Sequence, residues 1–133
     1  MYGAKSTPAQ NEKAIELTNA FRSNLAACYI KQERWEKAVY ATSKVLEVDP
    51  KNLKARYRRS LSYLRLKDTQ RAANDLDHAL EQAPNDASIR RLAMELVEQE
   101  EDRVAKIKEE EAAKAESEEN RKRQEEEAKK NAR

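Results

Sequence analysis

A stretch of 34 residues occurs twice in succession, at 19–52 and 53–86, and this duplication restricts the fold more than any other feature of the chain. Superposed, Arg22 falls on Arg56, Tyr29 on Tyr63, Ala38 on Ala72, Leu46-Glu47 on Leu80-Glu81 and Pro50 on Pro84. The matches fall at an aromatic in mid-helix, a small residue after a turn and a terminating proline, which is the punctuation of two antiparallel helices per unit. A repeat of this length marks an array of helical hairpins, each burying its apolar face by stacking on the next. Such arrays commonly bind other proteins on a concave face, so the function is expected there.

Composition agrees with an all-α chain. One Gly and three Pro among 133 residues leave few helix breakers, and 39% charged residues against 5% aromatics predict a small core. The absence of a long apolar run and of a basic-then-apolar leader predicts neither a membrane span nor a secretory signal. A lone Cys28 cannot form an internal disulfide and fits a reducing compartment, so the expected location is cytoplasmic, with the nucleus also open. Residues 1–97 carry 17 Lys/Arg against 12 Asp/Glu, a net of +5, while 98–133 carry 10 against 13, a net of −3. The folded part therefore favours an acidic partner. An excess of five charges is too weak for a nucleic-acid binder, and neither nucleic acid nor membrane is expected as a partner.

Taken in order, residues 1–7 are expected to be a disordered N-terminus and 8–86 the array. Ser6-Thr7-Pro8 offers a helix start, with a hydroxyl N-cap followed by proline at the first helical position. The helix they start is predicted to run to Lys31 with an apolar face of Ala14, Ile15, Leu17, Phe21, Leu25, Cys28 and Tyr29, so Cys28 is read as a packing residue. Its first dozen residues project beyond the repeat and should pack against something. Helices are predicted over 35–48, 53–66 and 69–82, with turns at Gln32-Glu33-Arg34 and Lys67-Asp68-Thr69, and with Pro50 and Pro84 closing the units. Asp86 is the expected cap of a last helix. Its stripe of Ile89, Leu92, Ala93, Leu96, Val97, Val104 and Ile107 is expected to lie on the second unit as a capping helix over 87–108. Residues 109–133 carry no Leu or Ile and read as a charged tail, either a solvated helix held by i,i+4 pairs such as Glu119–Arg123 or partly disordered.

The residues Asn24-Leu25-Ala26-Ala27-Cys28-Tyr29, Ala38, Asp49-Pro50, Lys54-Ala55-Arg56-Tyr57-Arg58-Arg59, Tyr63, Ala72 and Pro84 resemble tetratricopeptide repeats. More narrowly they resemble the C-terminal repeats of FKBP-type immunophilin co-chaperones, over about residues 10–105. The resemblance implies a right-handed superhelical array followed by a long C-terminal helix. It also implies recognition of an acidic peptide ending in Glu-Glu-Val-Asp at the C-terminus of a cytosolic heat-shock chaperone. By that resemblance Asn24 would hydrogen-bond the terminal carboxylate, and Lys54 and Arg58 would reach the peptide from the next helix, with Lys31 and Arg65 adding positive potential. Independently, Lys54 and Arg58 are four apart and share a helix face, and Asn24 stands in the first unit where Arg58 stands in the second. The family's preceding repeat contributes a further lysine and asparagine with no match here, so the clamp is incomplete. The same gap leaves a side bearing Ile15 and Phe21 open to self-association.

No Ser/His/Asp set, phosphate loop or paired carboxylate is present, and His78 stands alone, so neither an enzyme nor a cofactor or metal is expected. The isomerase domain of immunophilins is not among these residues. The alternative to a peptide-binding adaptor is a scaffolding subunit of a larger assembly, docking through its repeat faces and its charged helix.

Overall fold

The computed structural model describes residues 5–132 and contains five helices. They are α1 (Pro8–Lys31), α2 (Trp35–Val48), α3 (Leu53–Arg65), α4 (Thr69–Gln82) and α5 (Ala87–Asn131). Successive helices pack as hairpins, α1 on α2 and α3 on α4; α2 also packs on α3, and α1 touches α3. Two compact units result, one ending at Leu96 and the other running from Val97.

Local chemistry sets the helix ends. Thr7 forms a capping box with Gln10: its Oγ1 accepts from the Gln10 N–H at 3.2 Å, and Gln10 Oε1 accepts from the Thr7 N–H at 2.9 Å. Asn52 caps α3 through the Ala55 N–H at 3.0 Å, and Asp86 caps α5 through the N–H groups of Ser88 and Ile89 at 2.9 and 3.1 Å. Two turns repeat each other 34 residues apart. Arg34 N–H donates to Tyr29 O and Glu33 N–H to Ile30 O; in the second unit Asp68 donates to Tyr63 O and Lys67 to Leu64 O. These are paired 6→1 and 5→2 closures of a helix C-terminus, which require a left-handed residue. With no glycine at hand, Glu33 (φ 56°) and Lys67 (φ 64°) take that conformation.

The core is made mostly of small residues. Ala26, Ala38, Ala72 and Ala79 are fully buried and let the helices approach closely, while Val45 and Leu46 of α2 cluster with Ala55 of α3. A larger cluster joins Leu64, Ala72, Leu76 and Ala79 to Ile89 and Leu92 at the start of α5, with Leu61, Leu80 and Leu96 against it. Burying a side chain such as Leu64 contributes about 1.5–3 kcal/mol.

Two sequence expectations are corrected. Most of the apolar face expected of α1 points outward: Leu17 is more than half exposed and Cys28 is exposed rather than packed, while Ile15 and Phe21 lie exposed, as expected of the side left open. The contact side of α1 runs instead through Asn19, Ser23, Ala26 and Ile30, at the same three- and four-residue spacing. The first turns of α1, expected to pack, are exposed throughout. On α5 the buried stripe covers Ile89 to Leu96, whereas Val97, Val104 and Ile107 are exposed. Beyond Ile107 alanine is the only apolar residue type, and ion pairs Arg103–Glu100, Arg123–Glu119 (2.8 Å) and Arg121–Glu125 (3.9 Å) lie along the helix. No helix among the described residues is long and apolar enough to cross a membrane.

Candidate functional site

Arg56, Arg58 and Arg59 of α3 serve two different ends, and Asp75 separates them. Asp75 is 3% exposed and lies on the inward face of α4 between Ala72 and Leu76. Arg59 grips both of its carboxylate oxygens, Nε to Oδ2 and Nη2 to Oδ1, each at 2.7 Å, and Arg56 Nη1 adds a bond to Oδ1 at 3.3 Å. Arg56 also reaches the Pro50 carbonyl at 2.8 Å, and Arg59 reaches Ser43 Oγ of α2 at 3.3 Å. The hydrogen bond with Asp75 raises the Arg59 pKa further above its ordinary value. These two cations are structural, tying α3 to α4 and to the connection before α3.

Arg58 points the other way. Its Nη1 donates to both the carbonyl and the hydroxyl of Ser23 in α1, each at 3.1 Å. No carboxylate among the described residues pairs with it, and burial lowers its pKa. A half-buried guanidinium that has lost part of its hydration and gained no counter-ion has the chemistry to pair with an anion. The Ser23 bonds also fix its fork against α1, next to Asn24 in sequence.

Asn24 and Lys54 are exposed, and neither has a side-chain partner among the described residues. Lys31 is exposed at the last residue of α1. Arg65 differs, since its Nη1 pairs with Glu95 Oε2 at 3.1 Å, with both side chains about two-fifths exposed. Its charge is thereby largely neutralised within the fold. Sequence reasoning missed Ser23, which holds Arg58, and Asp75, which engages Arg56 and Arg59 within the fold. Asp75 was detectable as a lone carboxylate on an inward stripe of Ala72, Leu76 and Ala79. Among the described residues no cluster of His, Cys, Asp or Glu is arranged to hold a metal ion. His78 is exposed, its Nδ1 2.8 Å from the Asn74 carbonyl.

Comparison with known proteins agrees with this architecture. The profile of the tetratricopeptide repeat matches residues 25–98, more than half of the chain. The chain belongs to the tetratricopeptide repeat family. It is 36% identical over 98 residues to the peptidyl-prolyl cis-trans isomerase FKBP42 of Arabidopsis thaliana, a match covering 74% of this chain and 27% of the isomerase. The chain thus spans about a quarter of the length of that curated relative. Among solved structures, the C-terminal repeat domain of a Plasmodium falciparum putative FK506-binding protein superposes with a TM-score of 0.71 at 26% identity, covering 76% of this chain and 67% of that one. The Hsp90 co-chaperone Cns1 of Saccharomyces cerevisiae superposes with a TM-score of 0.70 at 26% identity, covering 80% of this chain and 34% of the other.

Proposed function

We propose that this chain is a co-chaperone-type adaptor in the cytoplasm that binds the acidic C-terminal peptide of a heat-shock chaperone, through Asn24, Lys54 and Arg58. The observation that carries the reading is Arg58, which is partly desolvated, oriented by Ser23 and without a carboxylate partner among the described residues. The likeness to an Hsp90 co-chaperone and to an FK506-binding protein supports the choice of partner. In this reading Arg58 and Lys54 bind acidic groups of the peptide, and the Asn24 amide donates to its terminal carboxylate. Each such charge-assisted bond contributes about 1.5–3 kcal/mol. Lys31 supplies potential along the peptide, and Arg65, already paired with Glu95, contributes little.

Titration calorimetry with a Met-Glu-Glu-Val-Asp peptide tests this. Micromolar binding is expected, weakening as salt rises. It should be lost on amidating the peptide's C-terminus and in the Lys54→Ala/Arg58→Ala variant, while Arg65→Ala binds nearly as the parent does. A folded chain that ignores the peptide at low salt, or binds the amidated form equally well, would overturn the assignment.

A further inference from the structure

The outward apolar face of α1 borders a groove of about 590 Å³ shared with α2. Phe21, Leu25 and Tyr40 wall it, with Phe21 66% and Tyr40 68% exposed. The duplication shows what such a face is built to receive. A shift of 34 residues lays Phe21 on Ala55 and Leu25 on Arg59. In the second unit those positions meet α2: Ala55 is 1% exposed and clusters with Val45 and Leu46, and Arg59 reaches Ser43. The first unit thus presents, uncovered, the same face that the second unit buries beneath a helix. A large aromatic at Phe21, where the covered copy has Ala55, leaves apolar area that water does not stabilise.

Charge narrows the occupant. The rim carries Arg22, Lys37 and Lys44 against Glu36, so an acidic helix with a narrow apolar stripe fits. The chain itself contains such a helix. On α5 Val97, Val104 and Ile107 are exposed at steps of seven and three residues, which puts them on one side. Residues 98–111 around them hold seven Asp/Glu against three Lys/Arg. We propose that the groove of one copy receives the Val97–Val104–Ile107 stripe of α5 from a second copy, so that the chain self-associates through complementary surfaces. This use of the protein is separate from the peptide site on Arg58, which involves other residues.

Sedimentation equilibrium of the full chain from ~5 to ~500 µM reads the association by mass action. The expected mass rises above the 15.4 kDa of one chain as concentration increases. Phe21→Glu/Tyr40→Glu damages only the groove, and Val104→Glu/Ile107→Glu damages only the stripe. Each should weaken association at least tenfold on its own. An equimolar mixture of the two should associate again, because the first variant keeps its stripe and the second keeps its groove. Circular dichroism checks that both fold; if the groove variant does not, Lys37→Glu on the exposed rim replaces it, with the same loss expected. Parent protein that stays at monomer mass throughout overturns the proposal. So does a stripe variant that associates like the parent, or a mixture that stays monomeric. Retention of peptide binding by both variants is the expected control.

Discussion

Asp75→Ala is the sharpest perturbation available, because one carboxylate holds two cations. The side chain is nearly inaccessible, and it accepts two hydrogen bonds from Arg59 at 2.7 Å and one from Arg56 at 3.3 Å. Removing one member of a buried ion pair costs about 3–5 kcal/mol, since the other is left charged and poorly hydrated. Here the Arg59 and Arg56 side chains keep 20% and 14% of their exposure, so partial rehydration is available. That places the loss at the lower end, about 3 kcal/mol. For a unit of this size each kcal/mol lowers the melting temperature by about 4–8 °C, so a fall of roughly 12–24 °C is expected. Urea unfolding followed by the fluorescence of Trp35, the only tryptophan, gives the free energy directly. Arg59→Met/Asp75→Leu removes the tighter ion pair, leaving Arg56 with the Pro50 carbonyl, and should recover most of the loss. A loss below about 1 kcal/mol for Asp75→Ala would refute the reasoning, because the carboxylate would then not organise the α3–α4 pair. Arg58→Ala should behave in the opposite way, with stability changed by no more than about 1 kcal/mol and peptide affinity lost.

Glu33→Gly, at a φ of 56°, should stabilise the chain by about 0.5–1 kcal/mol, read by the same urea titration, because glycine takes the left-handed conformation without steric cost. Ala38→Leu, at a fully buried contact of α2, should overpack the helix interface and cost about 1–3 kcal/mol or more. Thr7→Ala removes one half of the capping box and should cost about 1 kcal/mol of local stability, seen as faster hydrogen exchange at Gln10 and Asn11. Hydrogen exchange should also separate α5 into two parts: amides near Ile89 and Leu92 protected with α3 and α4, those beyond Val97 exchanging far faster, because no side chain there is buried.

Most of the fold was legible because its signals are local. Thr7-Pro8, Asn52, Asp86 and the two prolines act within one turn of themselves, and the helices begin and end where those residues put them; α3 stops at Arg65, one residue short of expectation. The 34-residue spacing also gave the pairing of helices. What failed was the facing of α1. A helix's apolar stripe marks the side that favours burial, not the side that has a neighbour, and the neighbour here contacts Ser23 and Ala26 instead. Of the candidate site, the sequence suggested the residue types, and the structure adds that Arg58 is held by Ser23. The division of Arg56-Tyr57-Arg58-Arg59 into structural and available cations was not legible, because it depends on Asp75 and Ser23, which are 16 and 35 residues distant from their arginines.

The Arg59–Asp75 pair also gives the two units separate identities. At the equivalent places the first unit has Leu25 and Ala41, so the duplicated modules share a scaffold but no longer share an interior. Exchanging their order would remove the Arg59–Ser43 bond from the junction and bring Leu25 beneath a helix in its place. In this chain the order of the modules is fixed by one charge and its partner, since among the described residues only Arg59 both grips Asp75 and reaches Ser43.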